Sequence, residues 1–168
     1  PRMVEVQLPS IILEEVRRRG INLEDLLLNA LTNILKLDPR EAAKLRLKLA
    51  VEYLNEGKDL IDKDPVQAGE ELYKAVEEAV KALAHYYNLG DVLAKVNERG
   101  RWTVTELEKA VLVISGKIGG WFGEAWDRAN YLHVWGFHEA KLGPEAVRVR
   151  LPYIEKMVQE AQRIISGP

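Results

Sequence analysis

The strongest constraint on the fold is a pair of Asp-Pro dipeptides, Asp38-Pro39 and Asp64-Pro65. Aspartate is a favoured N-cap and proline is favoured at the first helical position, so each dipeptide predicts the start of a helix. We expect these helices to run to about residues 62 and 87. Because only a few residues connect them, they should form an antiparallel hairpin.

Both predicted helices carry apolar or small residues at spacings that alternate between four and three. The two seams are Ala43, Leu47, Ala50, Leu54, Gly57 and Ile61 on the first helix, and Ala68, Leu72, Ala75, Ala79, Ala82 and Tyr86 on the second. This pattern places one stripe along each helix, and small side chains in a stripe allow the axes to approach closely. The second helix has a further apolar face, so we expect it at the centre of the fold.

The rest of the chain predicts further helices. Thr103 and Glu106 have the spacing of a capping box, which opens a helix ending near residue 114. Residues 115–123 are rich in glycine and predict a loop, and a long helix should follow over residues 121–142. Pro152 either kinks a helix that starts near residue 144 or marks the true start of the last helix.

The N-terminal residues 2–8 alternate between apolar and polar side chains, which predicts a strand with one buried face. The apolar set is Val4, Val6 and Leu8, and the other set is Met3, Glu5 and Gln7. Two short helices should follow. Since an isolated strand cannot satisfy its own backbone hydrogen bonds, we expect it to pair with a second copy and form a homodimer.

These elements predict a mainly α protein, an antiparallel helical bundle with an N-terminal strand–helix–helix extension. We place the extension at residues 1–37 and the bundle at residues 38–168. Composition narrows the function further. The 168 residues include 24 Lys and Arg against 26 Asp and Glu, for a net charge of −2. This balance excludes a nucleic-acid binder that works by bulk charge alone.

The chain contains no cysteine. This excludes disulfide frameworks, thiol catalysis and cysteine-ligated zinc or iron–sulfur sites. No apolar run approaches the ~20 residues that cross a bilayer, and we find no signal-peptide pattern. We therefore expect a cytoplasmic protein without a membrane partner.

Residues 126–138 hold the best candidate for chemistry, the set Arg128, Asn130 and His133. Histidine titrates near neutrality and can move the proton of an RNA 2′-hydroxyl, while arginine can clamp the phosphate. The alternative is that His133 is a buried histidine satisfied by a neighbouring helix. Arg128 and His133 are five residues apart, about 140° on an ideal α-helix. They would converge only through a helix irregularity or across a dimer interface.

The other two histidines, His85 and His138, are not expected to take part in catalysis or metal binding. His138 also lies about 140° from His133 on an ideal α-helix, so the two should not form a metal-binding pair. His85 should lie on the surface among Glu77, Glu78 and Lys81. We expect neither a metal site nor a cofactor.

Two segments, residues 64–83 and 126–139, resemble the archaeal PaREP-type family. That family is in turn similar to the HEPN superfamily of all-helical domains, over about residues 38–165. Many HEPN domains carry Arg, four to six residues and then His, as Arg128 and His133 do here, with a polar residue such as Asn130 between them. The resemblance implies a metal-independent endoribonuclease that dimerises to join two motifs. Other members only bind nucleotides or partner proteins.

The N-terminal unit resembles a ribbon-helix-helix module, in which a two-stranded ribbon enters the DNA major groove. In that comparison Gln7 reads a base edge and the basic run Arg17, Arg18 and Arg19 meets the backbone, whereas Glu5 repels phosphates. The alternative is a solvated helix end beside a dimerisation strand.

Three functions follow in order of preference. The first is a HEPN-like domain that binds RNA or a nucleotide, as a metal-independent endoribonuclease of a toxin or defence system. The second is a non-enzymatic dimeric interaction module of the toxin–antitoxin type, which binds a partner protein. The third is a ribbon-helix-helix DNA-binding regulator.

Overall fold

The computed structural model describes residues 4–167, which form α-helices and one π-helical segment. The predicted mainly α class is confirmed. The helices are α1 (Ser10–Arg18), α2 (Leu23–Ile34), α3 (Pro39–Leu60), α4 (Pro65–Tyr86), α5 (Gly90–Arg99), α6 (Val104–Ile118), α7 (Trp121–Tyr131), α8 (Pro144–Arg148) and α9 (Leu151–Ser166). The π-helical segment, Leu132–His138, continues directly from α7. Within residues 4–167, no helix combines the length and apolar character that a membrane span requires.

Helices α3 and α4 start at the two Asp-Pro dipeptides, as predicted. The Asp38 carboxylate accepts a hydrogen bond from the backbone N–H of Glu41 at 2.8 Å, and the Glu41 side chain completes a capping box. At the start of α4, Asp64 accepts from the N–H of Gln67 at 3.1 Å. Each cap satisfies a backbone donor that the first turn leaves unpaired, which fixes where the helix begins.

The predicted seams lie along the contact between α3 and α4 and are buried, with Tyr86 partly exposed. The helices approach so closely that a Cβ atom added to Gly57 would lie 2.7 Å from the Leu72 side chain. Helix α4 also contacts α9, α6, α7 and the π-helical segment. Its predicted central position is confirmed, and it supplies a rigid wall for the site described below.

A cluster of four charged side chains is buried where α2 meets α3 and α4. Arg46 lies 3.1 Å from a carboxylate oxygen of Asp25 and 3.1 Å from one of Glu78. The Lys81 ammonium lies 2.9 Å from Asp25 and 3.2 Å from Glu78. Asp25 also accepts a hydrogen bond from the backbone N–H of Trp102 at 3.1 Å. The two buried positive charges thus meet two buried carboxylates, the partly exposed Glu77 lies 3.3 Å from Lys81, and Asp25 attaches α2 to the hairpin.

The N-terminal strand prediction is wrong for the residues that the structure describes. Residues 4–9 have no regular secondary structure, and Val4 and Val6 are 81% and 74% exposed. Met3 lies outside the described residues. Alternation of side chains is not sufficient for a strand, because a strand also needs a neighbour for its backbone hydrogen bonds. Helices α1 and α2 follow in the predicted order, and the boundary at residues 37 and 38 remains a prediction.

Two further expectations changed in the C-terminal half. The glycine-rich stretch is mostly helical, because α6 extends to Ile118 and α7 begins at Trp121. Only Gly119 and Gly120 separate the two helices, and Gly119 has a φ of +117° that favours glycine. Pro152 lies in the first turn of α9, so it marks the start of the last helix rather than a kink.

Candidate active site

The helix that begins as α7 does not continue to residue 142 as predicted. It widens after Tyr131 into the π-helical segment, in which backbone hydrogen bonds join residues five apart. The N–H of Glu139, for example, donates to the carbonyl of Val134 at 2.9 Å. Residues five apart therefore lie on one face, whereas an α-helix would separate them by about 140°. Such π-helical insertions are frequent at functional sites.

This geometry joins two histidines that the α-helical interpretation kept apart. The Nε2 atoms of His133 and His138 are 3.1 Å apart. The expectation that these histidines do not face each other is therefore wrong, because it assumed an α-helical period through residue 138.

His133 is oriented by helix α4. Its Nδ1 atom lies 2.9 Å from a carboxylate oxygen of Glu70, and its ring stacks on Tyr73 with the ring centres 4.0 Å apart. An ionised carboxylate only accepts hydrogen bonds, so Nδ1 carries the proton and Nε2 keeps a free lone pair. The His138 Nε2–H then donates to that lone pair. The His133 side chain remains 26% exposed, so it is neither a sealed core residue nor a free surface residue.

The close contact between α4 and the π-helical segment depends on glycine. A Cβ atom added to Gly69 would lie 3.2 Å from the Leu132 carbonyl oxygen and 3.8 Å from the Gly136 backbone. Glu70, the next residue on α4, is thereby placed beside His133. Burial, together with the carboxylates of Glu77 and Glu70, raises the pKa of Tyr73 above its ordinary value. The Tyr73 hydroxyl therefore stays protonated and contributes packing rather than charge.

Arg128 is exposed and contacts helix α9 instead of α4. Its guanidinium lies 4.1 Å from the centre of the Tyr153 ring, and Arg150 lies 4.3 Å from the ring of Tyr131. Arg128, Tyr131 and Arg150 line a surface cavity of about 330 Å³. Asn130 is half-buried on α7. Arg128 and His133 thus contact different helices, although they are close in sequence.

The residues proposed for DNA contact all lie at the N-terminal end of the described chain. Gln7 is exposed in the segment before α1, and Arg17, Arg18 and Arg19 are exposed at the end of α1. The Glu15 carboxylate lies 2.7 Å from Arg18 and 3.5 Å from Arg19, so it offsets part of the positive charge of this run.

His85 is not the surface residue that its charged neighbours suggested. It is half-buried and lines a cavity of about 190 Å³ together with amide side chains that include Asn29, Asn33 and Asn97. Burial and the nearby charge of Arg46 lower the pKa of His85 to about 4.

Sequence reasoning selected His133 but missed its partners. Glu70 and Tyr73 lie one turn apart on α4, inside the segment that carries the family resemblance, and their spacing places both on one face. That spacing was a usable signal. No sequence signal indicated the contact between His133 and His138, because that contact depends on the change to π-helical geometry.

Comparisons with known proteins identify the family and the fold of the chain. Residues 45–158 match the model of the archaeal PaREP1/PaREP8 family. The fold is similar to a crystal structure of a Sulfolobus solfataricus protein, with a TM-score of 0.64 and 34% identity over 68% of this chain and 94% of that chain. A solution structure of the same target gives a TM-score of 0.62 and 34% identity, over 70% of this chain and 92% of that one.

None of the curated proteins matches the chain. The family match includes Glu70, Tyr73, Arg128, His133 and His138, whereas α1 and α2 lie before it. The predicted family is confirmed, while the wider HEPN and ribbon-helix-helix resemblances stay predictions. The match covers well over half of the chain, and the chain therefore belongs to the archaeal PaREP1/PaREP8 family.

Proposed function

We propose that this protein is a HEPN-like domain that binds RNA and cleaves its phosphodiester bonds without metal, with His133 as the acid–base residue. The observation that carries the proposal is the 2.9 Å contact between His133 Nδ1 and Glu70, on a histidine side chain that remains 26% exposed. A carboxylate on Nδ1 holds the ring in the tautomer that leaves Nε2 basic, and it stabilises the imidazolium formed later.

The cleavage step uses both histidines. His133 Nε2 takes the proton of the RNA 2′-hydroxyl, the 2′-oxygen forms a bond to phosphorus, and the bond from phosphorus to the 5′-oxygen breaks. His138, in its protonated form, gives a proton to the leaving 5′-oxygen. The two Nε2 atoms are in contact at 3.1 Å in the free protein, so in this mechanism the rings separate to admit the phosphate between the base and the acid. The substrate hydroxyl takes the position that the His138 N–H occupies in the free protein.

RNA binding is supported by two Arg–Tyr pairs at the contact of α7 with the C-terminal helices, where the carboxylates of Glu124 and Asp127 line the same cavity. Arg128 stacks on Tyr153 and Arg150 stacks on Tyr131, and all four side chains belong to α7 or to the region from α8 to α9. Guanidinium and aromatic planes are surfaces on which unpaired bases stack, and the arginine charges attract phosphates. Arg128 thus serves as a binding residue, and this role does not require it to touch His133.

The test is cleavage of single-stranded RNA by the purified protein in EDTA. Wild-type protein should cleave, and His133→Asn should reduce the rate at least a hundredfold, in the range of a lost acid–base group. Asparagine keeps an N–H that can reach Glu70, so the melting temperature should stay close to that of wild type. A matched control is His85→Gln, which should retain full activity. An inactive wild type in EDTA, or a fully active His133→Asn variant, would reject the proposal.

A second function, a dimeric interaction module, is supported by the apolar surface of the N-terminal region. Five aliphatic side chains here are more than 60% exposed: Val4, Val6, Ile11, Ile34 and Leu35. Large exposed apolar patches mark interaction sites in soluble proteins, and we propose that these side chains contribute to one. In this proposal the surface binds a second copy of the chain or the partner protein of a toxin–antitoxin pair. DNA binding through Gln7, Arg17, Arg18 and Arg19 is the alternative function of the same region.

Deletion of residues 1–8 should weaken self-association of the protein, because it removes Val4, Val6 and Leu8 from this surface. Sedimentation velocity over a range of concentrations measures the effect. The double substitution Val4→Glu/Val6→Glu should act in the same direction, whereas Gln7→Glu, which changes a polar residue of the same segment, should not. A deletion variant with an unchanged dimer would assign dimerisation to another surface.

A further inference from the structure

The two histidines of the π-helical segment have the arrangement of a metal-binding pair. Their Nε2 atoms are 3.1 Å apart, their ring planes are inclined at 78°, and their ring centres are 4.4 Å apart. A head-on hydrogen bond, in which both ring axes follow the line between the nitrogens, would separate the centres by more than ~5 Å. The ring centres are farther apart than the two nitrogens and closer than in a head-on contact, so the nitrogen ends of the rings are inclined toward each other, as in two ligands that share one ion.

We propose that His133 and His138 bind one divalent ion of the imidazole-preferring class, with Zn²⁺ as the representative ion, through their Nε2 atoms. Bonds from Zn²⁺ to histidine nitrogen are ~2.0–2.1 Å long. An ion at this distance from both Nε2 atoms of the pair subtends an angle of ~100° between them, which lies between octahedral and tetrahedral values.

Glu70 supplies the outer support that histidine ligands usually have. Its carboxylate lies 2.9 Å from His133 Nδ1, on the opposite side of the ring from the proposed ion. Such a carboxylate fixes the tautomer, orients the ring and increases the basicity of the ligating nitrogen. When the ion binds, His138 changes tautomer so that its ring proton lies on Nδ1, because a ligating nitrogen must be unprotonated.

The site has two protein ligands and open positions. Among residues 4–167, no group of three His, Asp or Glu side chains has the arrangement of a metal site. The remaining positions around the ion therefore belong to water or to a bound ligand, and His138 is exposed enough for both to enter. We expect weaker binding than at a four-ligand structural site.

Isothermal titration of the untagged full-length protein with ZnCl₂ tests the site. The background is low, because the chain has three histidines and no cysteine. Wild type should bind one equivalent of Zn²⁺. His138→Asn should raise the dissociation constant at least tenfold, and Glu70→Gln should raise it about 10- to 100-fold through the loss of outer support. The control is His85→Gln, which should bind Zn²⁺ as wild type does.

Ring ¹⁵N chemical shifts provide a second measurement that does not depend on catalysis. Addition of Zn²⁺ should shift Nε2 of His133 and His138 and leave the ring of His85 unchanged. Absence of Zn²⁺ binding to wild type, or unchanged binding by His138→Asn, would overturn the proposal. RNA cleavage is assayed in EDTA, so failure of the metal site and failure of the nuclease proposal are separate results.

Discussion

Lys81→Met is expected to lower the free energy of unfolding by about 3–5 kcal/mol, because it leaves the two buried carboxylates of Asp25 and Glu78 to share the single positive charge of Arg46. Lys81 is 2% exposed and contacts the carboxylates of Asp25 and Glu78. Burial alone would lower the pKa of Lys81, but Glu78, Glu77 and Asp25 raise it above its ordinary value. Methionine keeps most of the side-chain volume, so the loss of stability measures mainly the removal of the Lys81 charge. Urea denaturation followed by circular dichroism measures it.

Lys74→Met is the matched control on the same helix. Lys74 is partly exposed and lies 3.7 Å from Glu71, so its loss should cost no more than ~1 kcal/mol. The double variant Lys81→Met/Glu78→Gln should recover part of the stability, because it removes one charge of each sign from the cluster. Equal stability of Lys81→Met and wild type would contradict the buried-charge interpretation.

Acidification from pH 6.5 to pH 4 should destabilise the protein by about 2–3 kcal/mol through His85. Burial, reinforced by Arg46, lowers the pKa of His85 to about 4 in the folded protein. The unfolded chain has the ordinary histidine pKa of about 6.5, so it binds more protons across this range than the folded protein does. Stability therefore falls as the pH decreases, and this contribution is complete near pH 4.

His85→Gln should flatten the dependence of stability on pH between 6.5 and 4, whereas the exposed control His138→Gln should leave the His85 contribution in place. A separate loss should follow below about pH 4. Burial alone would raise the pKa of Asp25, but Lys81 and Arg46 outweigh it and hold this pKa below its ordinary value. Denaturation curves at half-unit pH steps separate the two ranges. An unchanged slope in His85→Gln would mean that His85 is solvated in the folded protein.

The hairpin of α3 and α4 was predictable because its signals act over short distances. A cap such as Asp38 satisfies donors within one turn, and a seam such as Ala43, Leu47 and Ala50 acts on the next helix in the chain. The N-cap signal at Asp64 also predicted the start of α4, and the family resemblance identified the segment that contains Glu70. These features do not depend on how distant helices meet.

The charged cluster was not predictable by the same reasoning. Glu78 and Lys81 were interpreted as solvated neighbours of His85, since charged residues are rarely buried unless they are paired. Their partners belong to different helices, with Asp25 and Lys81 separated by 56 positions. Only the packing of α2 on the hairpin brings them together. The strand prediction also depended on a contact with a distant part of the structure. It failed because the described chain offers residues 4–9 no neighbouring strand.

The candidate site likewise has one part that the sequence predicted and one part that only the tertiary structure determined. The sequence alone determined that the chain is helical, that Arg128, Asn130 and His133 are candidates for chemistry, and that the family segments are present. Tertiary structure decided which groups His133 meets, because contact with α4 brings in Glu70 and Tyr73. The π-helical segment decided that His138 joins them. The α-helical repeat fixes directions only while the backbone keeps its hydrogen-bond pattern, and that pattern changes here where the helix packs against glycine on α4.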